Sequence, residues 1–178
     1  RGLMDHADTL RWRLGDVDAA GTVLRQADSL LAGAERLDPE WPAPILMRAR
    51  VAQSLARLDA VTRSGSNADL LWAGVEHVDR VLAREPENAE ALTMRGSLRF
   101  NLSWIIEAAD SMVDLAEADF RAAVARDPAN AEGWVGLAQL LRSRGDFAAA
   151  SVAAERALEA DPFLIHADRS ILFTLGHV

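Results

Sequence analysis

One stretch near the carboxyl end decides how the rest of the chain is interpreted: DPANAEGWVGLAQLLRSRGDFAAASVAAERALEADP, residues 127–162. It begins and ends with an acidic residue followed by proline, and Gly145-Asp146 divides it into two segments of helical length. Apolar and small residues recur in both segments at intervals of three and four, the spacing of one face of an α-helix. The stretch therefore predicts two helices joined by a tight turn.

The same acidic-proline step occurs at two earlier points in the chain. Pro39, Pro86, Pro128 and Pro162 are separated by 47, 42 and 34 residues. The positions 12, 8 and 5 residues before each proline are all small or apolar and share one helical face. This recurrence predicts a repeat in which neighbouring helix pairs bury a continuous face. The triplets are Ala27/Leu31/Ala34, Gly74/Val78/Val81, Ala116/Phe120/Ala123 and Ala150/Ala154/Ala157.

A second pattern follows the first three prolines. A large residue at the sixth position precedes a small residue at the tenth, so that both lie on one helical face. Together these patterns resemble the tetratricopeptide repeat family, most closely from Asp127 to Pro162 and more loosely over nearly all of the remaining chain. The resemblance implies stacked antiparallel helix pairs. The large-small pairs are Ile45/Ala49, Leu92/Gly96 and Trp134/Ala138.

The chain departs from the family pattern in two ways. Arg48 and Arg95 stand nine residues after a proline, where the family usually has an apolar side chain. The intervals of 47 and 42 residues also exceed the family period of about 34. We interpret the extra residues as longer helices, because a surplus of whole turns keeps the buried face in phase.

The expected architecture is all-α: a right-handed α-solenoid of about four antiparallel helix pairs with a C-terminal capping helix. We expect a single domain over residues 1–178. Its capping segment, 163–178, can alternatively be a truncated repeat. The expected repeats span about 1–41, 42–87, 88–129 and 130–162, and the expected helices span about 3–14, 17–36, 43–61, 68–84, 89–108, 111–126, 131–143, 147–160 and 163–175.

Helix ends are marked by polar residues and glycine. Asn88 and Asn130 are expected N-caps, and Asp16 and Asp146 are expected to cap second helices after a glycine. Residues 63–67 form the clearest predicted loop. The turn near residues 109–110 has no glycine or proline to mark it.

Four tryptophans are expected to have structural roles. Trp72, Trp104 and Trp134 are expected to pack between helices. Trp41 precedes Pro42 and is expected to stabilise the turn between two repeats.

Composition and charge limit the possible partners. The formal net charge of −8 repels phosphate backbones and anionic lipids, so we expect neither nucleic acid nor membrane partners. No apolar run reaches the roughly 20 residues that a membrane span needs. Because the chain starts with Arg1, we interpret it as a piece of a longer protein. The compartment stays open, with the cytoplasm slightly favoured.

Residues that support catalysis or metal binding are sparse. The chain has no cysteine, and its four histidines are scattered without an H-E-x-x-H pattern. Glu76, His77 and Asp79 occupy helix positions that diverge, so they cannot converge on one metal. Glu117 and Asp119 are interpreted as carboxylates on an exposed face. We therefore expect a chain that is not an enzyme and that has no catalytic residues, no metal site and no cofactor.

The family resemblance also implies where a partner binds. In that family, the first helix of each pair contributes to a concave face that holds a protein or peptide. The carboxylate clamp of some members needs lysine, and this chain has none, so a chaperone-tail receptor of that kind is not expected. Carried over by position, the implied partner-binding residues are Asp5, Thr9, Trp12, Arg13, Leu46, Arg50, Gln53, Glu90, Thr93, Ser97, Phe100, Asn101, Val135, Gln139 and Arg142.

The leading functional hypothesis is therefore a scaffold for protein–protein interaction. One alternative is a sensory or docking array of a larger bacterial regulator such as a serine/threonine kinase, because stretches such as residues 27–42 are similar to repeat arrays that follow such kinases. Another is self-association into a homo-oligomer through an uncapped apolar face. An enzyme needs a convergent polar pocket, which the spacing does not predict.

Overall fold

The computed structural model describes residues 2–11, 15–62, 67–107 and 109–163, and over these residues its helices are joined by turns without any strand. This result confirms the predicted all-α class. The chain divides into two compact units, Arg1–Val81 and Leu82–Val178. A single domain, with the repeat boundaries given above, stays a prediction. The eight described helices are α1 (Gly2–Thr9), α2 (Val17–Leu37), α3 (Pro42–Thr62), α4 (Asn67–Leu82), α5 (Ala89–Leu102), α6 (Ala109–Arg126), α7 (Ala131–Ser143) and α8 (Phe147–Ala160).

In the unit Arg1–Val81, α2 packs against both α1 and α3. Small side chains on these helices are buried, which lets the backbones approach closely. Larger apolar side chains fill the space that remains, and Leu31 of the first triplet packs against them. The buried cluster comprises Ala7, Ala20, Leu24, Ala27, Val51 and Leu58.

In the unit Leu82–Val178, the pairs α5–α6 and α7–α8 form the main contacts, and α7 also packs against α5 and α6. Phe120 of α6 is the largest fully buried side chain among the described residues, with 1% of its surface exposed. A Cβ atom built on Gly96 of α5 would lie 2.9 Å from the Phe120 ring, and one built on Gly136 of α7 would lie 2.3 Å from it. Glycine at both positions therefore makes room for the ring. Ala116 and Ala123 are also fully buried, as the repeat pattern requires.

The predicted N-caps are confirmed. Asn88 Oδ1 accepts from the Ala91 backbone N–H at 2.9 Å, and Asn130 Oδ1 accepts from Gly133 at 2.8 Å. Asp16 and Asp146 make the same contact with the N–H three residues on, at 2.9 and 3.0 Å. Each follows a glycine with positive φ, 68° at residue 15 and 80° at residue 145, a conformation that a side chain disfavours.

The acidic-proline steps end helices by a shared hydrogen-bond pattern. The backbone N–H groups of Asp38, Asp127 and Asp161 each donate to the carbonyl four residues earlier, which closes the last helical turn. Each Asp Oδ1 then accepts from the N–H two residues on, at 2.9 to 3.1 Å. The residue before proline disfavours the α region, so the chain leaves the helix at this point. At the remaining step, Glu85-Pro86, the Glu85 carboxylate instead accepts from the Asn88 side-chain amide at 2.7 Å.

The sequence prediction was wrong about the end of α5. The helix stops at Leu102 rather than at residue 108, and residues 103–107 form a turn before α6 begins at Ala109. Ser103 explains the early stop, because its hydroxyl donates to the Phe100 carbonyl at 2.7 Å and competes with helical bonding. Most of the predicted 63–67 loop and of the last helix, as well as residues 12–14 at the end of the first predicted helix, lie outside the described residues.

The tryptophans divide into packed and exposed side chains. Trp134 packs against the core of its unit, and its indole N–H donates to the Pro128 carbonyl at 3.0 Å, which confirms its predicted packing. Trp104 was expected to pack but has 71% of its surface exposed, because it lies in the turn and not in a helix. Trp72 and Trp41 are also partly exposed, at 40% and 52%.

Candidate functional site

The predicted site residues on α1 are at the surface. Asp5 and Thr9 are both exposed, and the Thr9 hydroxyl donates to the Asp5 carbonyl at 2.9 Å. Trp12 and Arg13 lie outside the described residues. On this helix the described candidates are therefore accessible to solvent, and a partner-binding role for them stays a prediction.

The candidates on α3 lie deeper. Leu46 and Gln53 are buried, and Arg50 is half-buried. Leu46 and Gln53 are therefore less accessible than their positions in the family pattern implied. Arg50 is the most accessible of the three.

A charged cluster joins three helices of the unit Arg1–Val81. Arg48 of α3 donates to Asp28 and Glu35 of α2, both at 2.8 Å, and Arg80 of α4 donates to Glu35 at 2.5 Å. Burial would raise the pKa of Glu35, but these two guanidinium groups hold that pKa below its ordinary value. The hydrogen bond from Arg48 to Asp28 raises the pKa of Arg48. The cluster therefore stabilises helix packing.

His77 lies at the edge of this cluster. Its Nδ1 is 2.7 Å from Arg80 Nη2, which favours the neutral ring as the acceptor. Burial and the positive charges of Arg48 and Arg80 lower the pKa of His77. Within the described ranges, no three His, Cys, Asp or Glu side chains are grouped so as to hold a metal ion.

In the unit Leu82–Val178, the candidates near the starts of α5 and α7 are used mainly in packing. The Asn130 amide donates to the Thr93 hydroxyl at 2.9 Å and to the Ala89 carbonyl at 3.3 Å, which joins the two helices. Thr93 and Val135 are buried, whereas Glu90 is exposed. This end of the helix pair is closed by the chain's own hydrogen bonds.

The carboxyl ends of α5 and α7 differ from the starts. Ser97, Phe100 and Asn101 on α5, and Gln139 and Arg142 on α7, are all partly exposed. Asn101 Nδ2 and Arg142 Nε are buried and lack a hydrogen-bond partner, the two such side-chain atoms in the described part of the chain. These two nitrogens are donors without an acceptor, on helices that pack against each other.

Sequence reasoning missed a buried charge cluster in the same unit. Asp119 was interpreted as part of an exposed face, but 5% of its side chain is exposed. Its carboxylate accepts from Arg95 at 2.7 and 3.0 Å and from Arg99 at 2.7 Å. Spacing could have revealed this, because Asp119 precedes Phe120 and follows Ala116 by three residues, next to the buried face. Glu117 is partly exposed and pairs with arginines.

With this geometry established, comparison with known proteins identifies the repeat. Residues 108–165 match the sequence profile of the tetratricopeptide repeat. This segment is similar to the tetratricopeptide repeat family. The match covers α6, α7 and α8, and confirms the family that the acidic-proline spacing indicated.

Solved structures extend the similarity in fold to nearly the whole chain. The structure is similar to that of a thermophilic TPR protein in Thermus thermophilus, with 17% identity, a TM-score of 0.63, and coverage of 99% of this chain and 79% of that one. It is also similar to the crystal structure of MamA, with 19% identity, a TM-score of 0.50, and coverage of 96% and 83%. None of the curated proteins matches the chain. The helical-repeat fold is therefore confirmed.

The arginines that depart from the tetratricopeptide pattern now have a physical explanation. Arg48 and Arg95 occupy a position that is usually apolar in the family, and each guanidinium reaches an acidic residue on an adjacent helix. Arginine suits such a place because its fork of donors matches a carboxylate in two-point geometry. No described helix is both long and apolar enough to cross a membrane.

Proposed function

We propose that the chain holds a peptide segment of a partner protein against the carboxyl ends of α5 and α7. The tetratricopeptide fold indicates a scaffold for protein–protein interaction rather than a catalyst. The observation that carries the finer proposal is the pair of buried, unpartnered donors, Asn101 Nδ2 and Arg142 Nε.

A buried donor without an acceptor costs about 1–3 kcal/mol, so such groups are rare in folded proteins. Both side chains are partly exposed, so a small side-chain rotation would bring each buried nitrogen within reach of a backbone carbonyl or carboxylate of a bound peptide, which would supply the acceptor that it lacks. Phe100 adds an apolar surface beside Asn101 and packs against the core of the unit. The site therefore combines hydrogen-bond donors, one positive charge and an apolar anchor, which favours an extended segment with polar and apolar groups.

The amino-terminal ends of α5 and α7 indicate which end of the two helices the peptide's acceptors should avoid. Thr93 and Asn130 satisfy each other there, and Glu90 is exposed beside them. Acceptors of the peptide are favoured near Arg142, whereas the negative charge of Glu90 repels them. Binding residues on α1 and α3, self-association, and membership of a larger bacterial regulator stay predictions.

Selection from a random peptide library tests this proposal without requiring that the partner be identified. The wild-type chain is the bait, and the variant Asn101→Leu/Arg142→Met is the counter-bait. The expected result is a set of peptides that bind the wild type and bind the variant at least about tenfold more weakly, as for loss of hydrogen-bonded contacts in an interface.

A matched variant on α8, Glu155→Leu/Arg156→Met, makes similar polar-to-apolar changes at exposed positions. It should retain every selected peptide with unchanged affinity. If no peptide is enriched, or if the enriched peptides bind the counter-bait as well as the wild type, the α5–α7 site is not the binding site.

A further inference from the structure

The turn between α5 and α6 carries an apolar patch that extends beyond the proposed peptide site. Trp104 has 71% of its surface exposed and Ile105 has 41%. The Trp104 ring meets the Phe100 ring edge-on, with centroids 5.9 Å apart and planes at 69°. Phe100 packs against the core of its unit. We call Phe100, Trp104 and Ile105 the Trp104 patch.

The backbone of this turn is hydrogen-bonded. The N–H groups of Ile105 and Ile106 both donate to the Leu102 carbonyl, at 2.9 and 3.1 Å, and Leu102 is fully buried. The Trp104 N–H donates to the Asn101 carbonyl at 3.3 Å. Exposure of the two side chains therefore results from a defined turn anchored to the core. Adjacent exposed tryptophan and isoleucine side chains are typical of a protein-interaction surface.

Negative charge borders the patch. Residues 100–120 contain five acidic residues and no basic one. Glu107 and Asp110 follow the patch directly in the chain, and both are exposed. Asp114, one helical turn after Asp110, is also exposed and pairs with Arg144. Asp114, Glu117 and Asp119 pair with arginines outside this stretch, so the exposed carboxylates of Glu107 and Asp110 are the negative charges that an incoming cation can neutralise.

We propose that the Trp104 patch binds a basic segment of a partner protein, in which arginine or lysine residues flank one apolar anchor. The anchor packs on Trp104 and Ile105, and a flanking cation lies over the exposed indole face or near Glu107 and Asp110. A second copy of this chain is disfavoured because each copy carries a net charge of −8, and an anionic lipid surface is disfavoured for the same reason.

Fluorescence anisotropy with a short labelled peptide, arginines on both sides of a central leucine, tests the proposal. Two control peptides replace the arginines by glutamates or the leucine by serine. Wild-type protein should bind the basic peptide, bind both controls at least about tenfold more weakly, and lose affinity as salt rises. Equal binding of the acidic peptide, or no binding of the basic one, overturns the proposal.

Protein variants locate the site. Trp104→Ser should weaken binding at least about tenfold, and Glu107→Gln/Asp110→Asn about fivefold, from two exposed charge pairs. The control Asp8→Asn/Glu155→Gln makes the same change in net charge at exposed positions elsewhere, and should alter affinity less than about twofold, as distant exposed charges are screened. Circular dichroism checks that each variant folds.

The wild-type and variant proteins also test whether the Trp104 patch binds a second copy of the chain or an anionic lipid surface instead. Light scattering that rises with protein concentration in the wild type, but not in Trp104→Ser, would mean that the patch binds a second copy and would overturn the proposal. Trp104-dependent binding to phosphatidylserine vesicles that exceeds binding to the basic peptide would overturn it as well. Peptide binding that is unchanged in both patch variants places the basic segment elsewhere and has the same consequence.

Discussion

The contact between Phe120 and Gly136 makes the most quantitative prediction about this fold. In Gly136→Ala, the added Cβ would lie 2.3 Å from Phe120 Cε1 and 2.5 Å from Cζ. Carbon atoms in favourable contact are about 3.5–4.0 Å apart. The ring cannot move freely, because a fully buried Phe120 also contacts Gly96 of α5.

Overpacking of a buried site costs about 1–3 kcal/mol. Confinement of the ring by both α5 and α7 places this site at the upper end of that range. Alanine recovers about 1 kcal/mol because it favours helix over glycine. The net loss is therefore about 2 kcal/mol in the free energy of unfolding, or about 4–8 °C in Tm for a chain of this size.

Urea unfolding followed by circular dichroism measures this loss. Gly33→Ala in α2 is the matched control, because the nearest atom to its added Cβ is 3.7 Å away, on the Arg36 side chain. That variant should gain about 0.5–1 kcal/mol. In the background of Gly136→Ala, Phe120→Leu should cost less than it does alone, because a smaller side chain relieves the overlap.

Equal stability of Gly136→Ala and wild type would refute this reasoning, as would a gain similar to that of Gly33→Ala. Either result would mean that α7 does not press on the Phe120 ring as described. Additive effects in the double variant would also contradict it, because two residues in contact should show coupling.

Three further predictions concern polar groups, and urea midpoints measure each of them. Asn101→Leu should stabilise the chain by about 1–3 kcal/mol because it removes an unpaired buried donor. Asn130→Leu should destabilise it by at least about 1 kcal/mol because a cap and two further hydrogen bonds are lost. Equal effects of the two substitutions would contradict the claim that the Asn101 amide, unlike the Asn130 amide, lacks an acceptor. Asp119→Leu should cost about 3–5 kcal/mol, because Arg95 and Arg99 lose the buried carboxylate that they share, and an effect below about 1 kcal/mol would show that solvent replaces it. The pKa of His77 is lowered in the folded chain, so below about pH 6.5 the unfolded chain binds more protons at His77 than the folded chain does. The free energy of unfolding should therefore fall as the pH falls, by at most about 1.4 kcal/mol per pH unit. His77→Gln should flatten that slope, and an unchanged slope would assign the pH dependence to other groups.

The helical repeat was predictable from the sequence because its signals are local and periodic. Acidic-proline steps and small residues at offsets of three and four depend on backbone geometry alone. Asn88 and Asn130 were assigned as caps for the same reason, since a capping side chain bonds to an N–H three residues away. The close approach at Gly96 was visible only as a large-small pair, and its partner Phe120 was identified separately.

The charged clusters were not predictable in the same way. Arg48 and Arg95 stood out as departures from a family pattern, but their partners lie 13 to 24 residues away on other helices. Periodicity places Asp119 next to the buried face without showing that two arginines reach it. Long side chains can span several positions, so pairing depends on how helices pack and not on spacing along one helix.

The candidate site was predictable only as a set of positions. Carry-over from the family placed Thr93 and Asn101 on the same binding face, yet Thr93 is satisfied by Asn130 whereas the Asn101 amide lacks an acceptor. The sequence does not distinguish them, because hydrogen-bond satisfaction depends on neighbouring helices. The turn at residues 103–107 was missed since serine, rather than glycine or proline, ends α5.

Side-chain nitrogen NMR gives the most direct test of the central claim, that Asn101 and Arg142 donate to a bound peptide. The Asn101 amide and Arg142 Nε resonances are followed while a peptide from the library selection is added. Both should shift in a saturable way with one dissociation constant, while the Asn130 amide resonance, already satisfied within the chain, stays in place. Saturable binding that leaves the Asn101 and Arg142 resonances unchanged would contradict the claim.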